Sequence, residues 1–222
     1  MSKEEILKRL ADFIVDGDED GAKEAAEEAM SAGIDPIEAI KGGVVTGLNV
    51  VGEKYQAKTY FYPDLICGAD ATMVALSIIR PHIKKGTTGF KGKFVLGTVA
   101  GDLHDIGKGL VAAMLEANGF EVFDLGVDNP VSKFIEAAKK YNADIVGASA
   151  TLSGGVKMEM KKIADALVAA GIKDKIGYMI GGVITDDKFA ATIGADARGE
   201  DCVEAVKKAV EVMEKVKNKR GK

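Results

Sequence analysis

Histidine and cysteine are scarce in this chain, with two of each in 222 residues. Cys67 and Cys202 stand far apart, with no CxxC and no metal-ligand spacing. That excludes a cysteine metal site, suggests a reducing cytoplasm, and leaves buried packing as the expectation for both thiols. Long hydrophobic runs are absent too. Nothing approaches the roughly 20 apolar residues that cross a bilayer, and the charged start "MSKEEILKRL" does not read as a signal peptide. Positive charge is not in excess: the net charge is -4 and the pI about 5.4, which argues against a nucleic-acid surface. The basic tail "KVKNKRGK" reads as a frayed, solvated end. Phosphate-binding signatures are missing as well, since no GxGxxG or Walker lysine pattern occurs. What remains is an ordinary globular composition, 47% hydrophobic and 29% charged, long enough for one large domain or two modest ones.

The hydrophobic rhythm divides the chain in two. Up to residue 84 the apolar residues recur at helical spacing in four stripes: Ile6 to Ile14, Ala22 to Met30, Ile37 to Val51, and Leu65 to Leu76. Asp35 before Pro36 and Tyr62 before Pro63 read as helix starts, because a first turn tolerates proline. Four short amphipathic helices make a small bundle. A polar, glycine-rich stretch follows, and residues 85–91 are assigned as a linker. From residue 92 onward strands and helices alternate. "KFVLGTVA", "EVFDLGV", "ADIVGASA", "KIGYMIGG" and "ADARG" read as strands, with a last helix from Glu200 to about Lys217. Such alternation predicts a doubly wound, five-stranded parallel sheet covered on both faces.

The unusual residues fall at the carboxyl ends of these strands, where such sheets bind ligands. "GDLHDIG" follows the first strand, "SATLSGG" the third and "GGVITDD" the fourth. A loop histidine alone has no assigned role, and one imidazole underligates a bare zinc or iron. Asp102 two residues before His104 alters the reading, because a ligating imidazole needs its second N–H oriented, commonly by a carboxylate. The metal must then arrive already held by something else.

At these residues the sequence resembles the cobalamin-binding module of methionine synthase. Over its whole length it resembles the corrinoid proteins of bacterial and archaeal methyltransferase systems. The pattern is DxHxxG at Asp102, His104 and Gly107, then Ser149-Ala150-Thr151 where the family shows SxL, then the pair Gly181-Gly182. "GLNVVGEKYQAKTYFYPDLICGADAT" looks like the helical cap segment of those proteins. Two departures stand out: Thr151 replaces the motif leucine, and Gly155 stands where methionine synthase extends the Asp–His pair with a serine.

The resemblance implies a bound cobalamin or related cobamide, whose corrin ring gives cobalt four nitrogens. His104 would be the lower axial ligand after the base of the cofactor leaves cobalt, with Asp102 behind it. Asp105, Ile106 and Gly107 would pass beneath the corrin. Ser149, Thr151, Leu152 and Ser153 would line the slot for the detached nucleotide tail. Gly181 and Gly182 would leave room for it, with Val127 and Thr185 further along the channel. Phe61, Tyr62 and Leu65 of the cap would shield the methyl group, and the 82–92 stretch would be a hinge.

The function so implied is that of a non-catalytic methyl carrier. It takes a methyl group onto Co(I) from a methylated substrate through a partner methyltransferase. It delivers that group to a second methyltransferase acting on coenzyme M or tetrahydrofolate. A reductive activase is a further expected partner; nucleic acid and membrane are not, and the location is cytoplasmic. The alternatives are a corrinoid-dependent regulator and the cobalamin subunit of a radical mutase. A receiver-like or flavodoxin-like domain without corrinoid is the fallback.

Overall fold

The computed structural model describes residues 1–82, 91–151 and 155–220. The chain forms two compact units, Met1–Gly89 and Phe90–Lys222.

The first unit is helical. Helix α1 (Lys3–Asp16) begins on a capping box in which Ser2 and Glu5 satisfy each other's backbone N–H groups, and it ends on Gly17 at φ 69°. Helix α2 (Glu19–Ser31) is capped by Asp18, and the short α3 (Pro36–Ala39) by Asp35. The third expected helix is not uniform. It runs through α3, a π-helical stretch Ile40–Val45, and α4 (Thr46–Gln56). The reason α4 lies so close to α1 is glycine: a Cβ on Gly47 would stand 2.6 Å from the Ala11 carbonyl oxygen. Helix α5 (Tyr62–Ile79) starts at Tyr62 as its proline suggests, and Asp64 reaches back to accept the Phe61 N–H at 2.7 Å. Its inward face carries Leu65, Gly68, Ala69, Thr72, Leu76 and Ile79. Cys67 is off that face and exposed, contrary to the packing expected of it. Cys202 is buried as expected, and burial pushes its thiol pKa up to about 12.

The second unit is a five-stranded parallel sheet in the order β2-β1-β3-β4-β5, with β1 Gly92–Thr98, β2 Phe120–Asp124, β3 Ile145–Ser149, β4 Gly177–Gly181 and β5 Ala197–Gly199. The crossovers are α6 (Ile106–Ala117), α7 (Val131–Tyr141), α8 (Gly155–Ala169) and α9 (Asp187–Thr192), and α10 (Cys202–Arg220) closes the chain. Helix α9 has too few residues to show a period in the sequence; Asp186 caps it by accepting the Phe189 N–H at 2.7 Å. One face of the sheet packs Val95, Val146, Tyr178 and Ile180 with Phe134, Met160, Ile163 and Leu167 of α7 and α8. The other face meets α6 and α10: a Cβ on Gly177 would strike Val212, and one on Gly199 would strike Ala205.

The amino-terminal edge of the sheet is stapled by carboxylates. Asp144, just before β3, accepts the Lys93 N–H at 2.7 Å, and Asp196, just before β5, accepts the Tyr178 N–H at 2.8 Å. Each follows an Ala and a left-handed residue that ends a helix, Asn142 (φ 50°) or Gly194 (φ 72°). Arg220 pairs with Asp144 and donates to the carbonyls of Ala143 and Lys175. The basic carboxyl-terminal stretch is therefore helical and tied down as far as Arg220, not frayed as its charge suggested.

Candidate functional site

Strand β1 lies between β2 and β3, so successive crossovers leave it in opposite directions. A crevice opens at such a switch point, beyond the carboxyl ends of the strands. The loop after β1 enters it and is held there by one carboxylate. Asp102 is fully buried. Its Oδ1 accepts the His104 backbone N–H at 3.0 Å and faces His104 Nδ1 at 2.6 Å; its Oδ2 accepts the Thr151 N–H at 2.5 Å. Asp102 thus ties the β1 loop to the β3 loop across the switch point. Thr98 Oγ1 donates to the His104 carbonyl at 2.9 Å and fixes the loop from below.

With its acceptor beside Nδ1, the neutral form of the imidazole donates there and has its lone pair on Nε2. The His104 side chain is 55% exposed, and among the described residues Nε2 has no partner. One fixed, open nitrogen suits a metal that needs a single protein ligand.

Next to it runs a row of small residues. Thr98, Ser149, Gly181 and Gly199 are register partners across β1, β3, β4 and β5. By strand alternation the row shares the face of Gly177 and Gly199, toward α6 and α10. Among the described residues, a Cβ on Gly181 would touch only the Gly199 carbonyl oxygen, at 3.5 Å, and they leave that space open.

The comparisons with known proteins agree with this geometry. The B12 binding domain family matches residues 92–207, and a second family described as a B12 binding domain matches residues 6–80. The trimethylamine corrinoid protein 1 of Methanosarcina acetivorans is 39% identical over 214 residues, covering 96% of this chain and 99% of that protein. The chain belongs to the B12-binding corrinoid proteins. A solved cobalamin-binding protein from Desulfitobacterium hafniense superposes at a TM-score of 0.75 with 35% identity, covering 92% of this chain and 97% of the other. The methanol:cobalamin methyltransferase complex of Methanosarcina barkeri contains a chain matching at 0.82 and 30%, covering 96% of this chain and 81% of that one.

The residues of this corrinoid protein fit a corrinoid on the donor set alone. A corrin ring would supply four nitrogens to cobalt, and His104 Nε2 would be the one donor the protein adds. Leu103 and Ile106, which flank His104 in the chain, are exposed (Leu103 to 70%), and Val183 in the loop after β4 is 85% exposed. No sequence signal singled out Leu103 or Val183, because each is an ordinary aliphatic in a loop.

The structure separates the remaining expected residues. Asp105, Ile106 and Gly107 follow His104 at the surface, where Ile106 begins α6. Ser149 and Thr151 are at the crevice; Leu152 and Ser153 lie outside the described residues. Gly182 differs in kind from Gly181. It has φ 104°, and a Cβ there would meet the Ala150 carbonyl oxygen at 2.0 Å, so its bareness serves the chain's own backbone rather than a ligand. Thr185 is buried with its hydroxyl engaged: it donates to the Gly182 carbonyl at 2.7 Å and accepts from Arg198 Nε at 3.2 Å. It shapes the loop. Val127 is half-buried in the β2 loop.

In the helical unit Phe61 is 68% exposed and Tyr62 is exposed as well, whereas Leu65 is 1% exposed. Leu65 is a core residue and presents no side chain for shielding, which corrects its expected role. Tyr60 is a tether, its hydroxyl donating to the Val15 carbonyl at 3.1 Å. The expected linker lies, except for Lys91, outside the described residues.

Two charged features near the rim escaped the sequence reading. Lys108, in the first turn of α6, is buried and pairs with Asp124 at the end of β2. Asp186 is held below the usual carboxylate range, chiefly by the Phe189 N–H and also by Lys157.

Proposed function

We propose that this corrinoid protein carries a methyl group between two methyltransferases, with His104 as the lower ligand of its cobalt. The observation that supports this most directly is the pairing of His104 Nδ1 with buried Asp102, which leaves Nε2 open at the switch point. When bound, the corrinoid supplies a cobalt centre that accepts and releases the methyl group. The chain's own part is orientation. Asp102 holds one tautomer of His104 and fixes the orientation of its ring. Ser149 and Gly181 would leave the sheet face bare for the nucleotide tail. Leu103, Ile106 and Val183 are exposed aliphatics that would offer the ring apolar contact.

Phe61 and Tyr62 are the exposed aromatics we assign to the methyl side, where excluding water suppresses side reactions. The partner is a methyltransferase. The names of the relatives, trimethylamine and dimethylamine corrinoid proteins among them, make a methylated amine the first donor to test. A second methyltransferase would pass the methyl to coenzyme M or tetrahydrofolate, and a reductive activase would restore the carrier after oxidation.

The test is anaerobic reconstitution with hydroxocobalamin, followed by desalting, an absorption spectrum and a cobalt count. The wild type should retain about one corrinoid per chain with its own base displaced by histidine. His104→Ala should show a histidine-free spectrum or weak retention. A wild type that retains no corrinoid overturns the reading.

A further inference from the structure

The ligand loop is held from a second side, by the loop that follows β2. That loop reads Gly126-Val127-Asp128-Asn129, and three of its groups reach the residues just before His104. Asp128 Oδ1 accepts the Gly101 N–H at 2.8 Å. The Asp128 N–H donates to the Asp102 carbonyl at 3.1 Å. Asn129 Nδ2 donates to the Thr98 carbonyl and to the Gly126 carbonyl, each at 2.9 Å, and Val99 and Asn129 form a parallel bridge. Asn129 is buried, so this end of the loop belongs to the core.

Asp128 does not. It is exposed, and packing does not account for it. Its backbone is left-handed at φ 51°, a region that aspartate and asparagine tolerate better than other residues with a side chain. Gly101, whose N–H it receives, is left-handed too, at φ 81°. The two unusual conformations face each other across one hydrogen bond, directly before the aspartate that orients the histidine.

We propose that Asp128 is a positioning residue for the cobalt ligand. Its side chain and its backbone N–H lock the Gly101–Asp102 turn from the β2 side, while Thr151 locks Asp102 from the β3 side. Together they set where His104 Nε2 stands. The role rests on the reading of His104 as cobalt ligand, and the experiment separates the two.

Cobinamide lacks the nucleotide tail and brings no axial nitrogen of its own. Reduced to Co(II) in the full-length protein, it gives an electron paramagnetic resonance spectrum split by nitrogen only where the protein ligates. The wild type should show that splitting and His104→Ala should lose it; a wild type without it overturns the ligand assignment itself.

Asp128→Gly permits the left-handed backbone and removes the acceptor. It should lower the ratio of histidine-ligated to unligated cobalt about five- to tenfold, the worth of one hydrogen bond. Asp128→Asn keeps an acceptor and tolerates the same φ, and it should restore the wild-type ratio.

In the chain without corrinoid, hydrogen exchange at the Gly101 amide should be slow in the wild type and in Asp128→Asn and fast in Asp128→Gly. This readout keeps the question open to decision if a variant binds cobinamide too weakly for the spectrum. Undiminished nitrogen splitting in Asp128→Gly, or an equal loss in Asp128→Asn, overturns the proposal.

Discussion

Gly181 and Gly182 are neighbours with the same side chain, yet only one of them is demanded by the chain's own backbone. Gly182 is left-handed and sits against the Ala150 carbonyl; Gly181, in a small-residue row, faces space that the described residues leave open. Alanine should therefore separate them. Gly182→Ala should destabilise the protein without corrinoid by about 2–4 kcal/mol, because it combines a strained φ with a backbone collision. Gly181→Ala should change that stability by less than about 1 kcal/mol. It should instead weaken corrinoid retention, since its methyl group enters the space assigned to the tail. Urea denaturation of both variants, followed by a cobalt count after loading, checks the pair. Equal behaviour in both measurements would refute the distinction. The same scale explains why Asp102 counts for more than its exposure suggests: one buried carboxylate answers three N–H groups from two loops.

Among the elements, the helix running through Ile40–Val45 and α4 shows how sequence sets a packing distance. Gly43 and Gly47 stand one turn apart on the side facing α1, where their missing Cβ atoms make room for Leu10 and for the Ala11 backbone. Gly47→Ala would gain helix propensity in isolation. Here the Cβ falls 2.6 Å from a backbone oxygen that cannot rotate away, so α1 and α4 must part. The expected net result is a loss of about 1–3 kcal/mol, as for other overpacked interiors. Thermal unfolding followed by far-ultraviolet circular dichroism reads it directly, and an unchanged or raised midpoint would show that the two helices separate freely. In the second unit, Asp144 and Asp196 staple the backbone at Lys93 and Tyr178. They lie at the amino-terminal edge of the sheet, opposite the rim that carries His104.

The whole molecule is two compact units, and all the groups assigned to ring, cobalt and tail lie in the second. A ligand stabilises the state it binds by mass action. Loading with hydroxocobalamin should therefore raise the unfolding midpoint of the sheet unit in calorimetry, and His104→Ala should reduce that rise. A parallel rise in the helical unit would mean that Phe61 and Tyr62 engage the corrinoid; an unmoved helical transition would count against their shielding role. Much of this architecture was legible in the linear chain. The change of period near residue 84, the alternation after residue 92 and the DxHxxG motif are local properties, written by side-chain chemistry at fixed spacing. They determined the two-part organisation, the parallel sheet and the candidate ligand His104. Tertiary structure alone decided the rest, because it depends on residues far apart in sequence. The Thr151 amide meets Asp102 across 49 positions and Asp128 meets Gly101 across 27. Leu65 turned inward and Cys67 outward on the same helix, and the two glycines of one pair took opposite duties. Periodicity assigns a face to an element, but only the neighbouring element determines what that face touches.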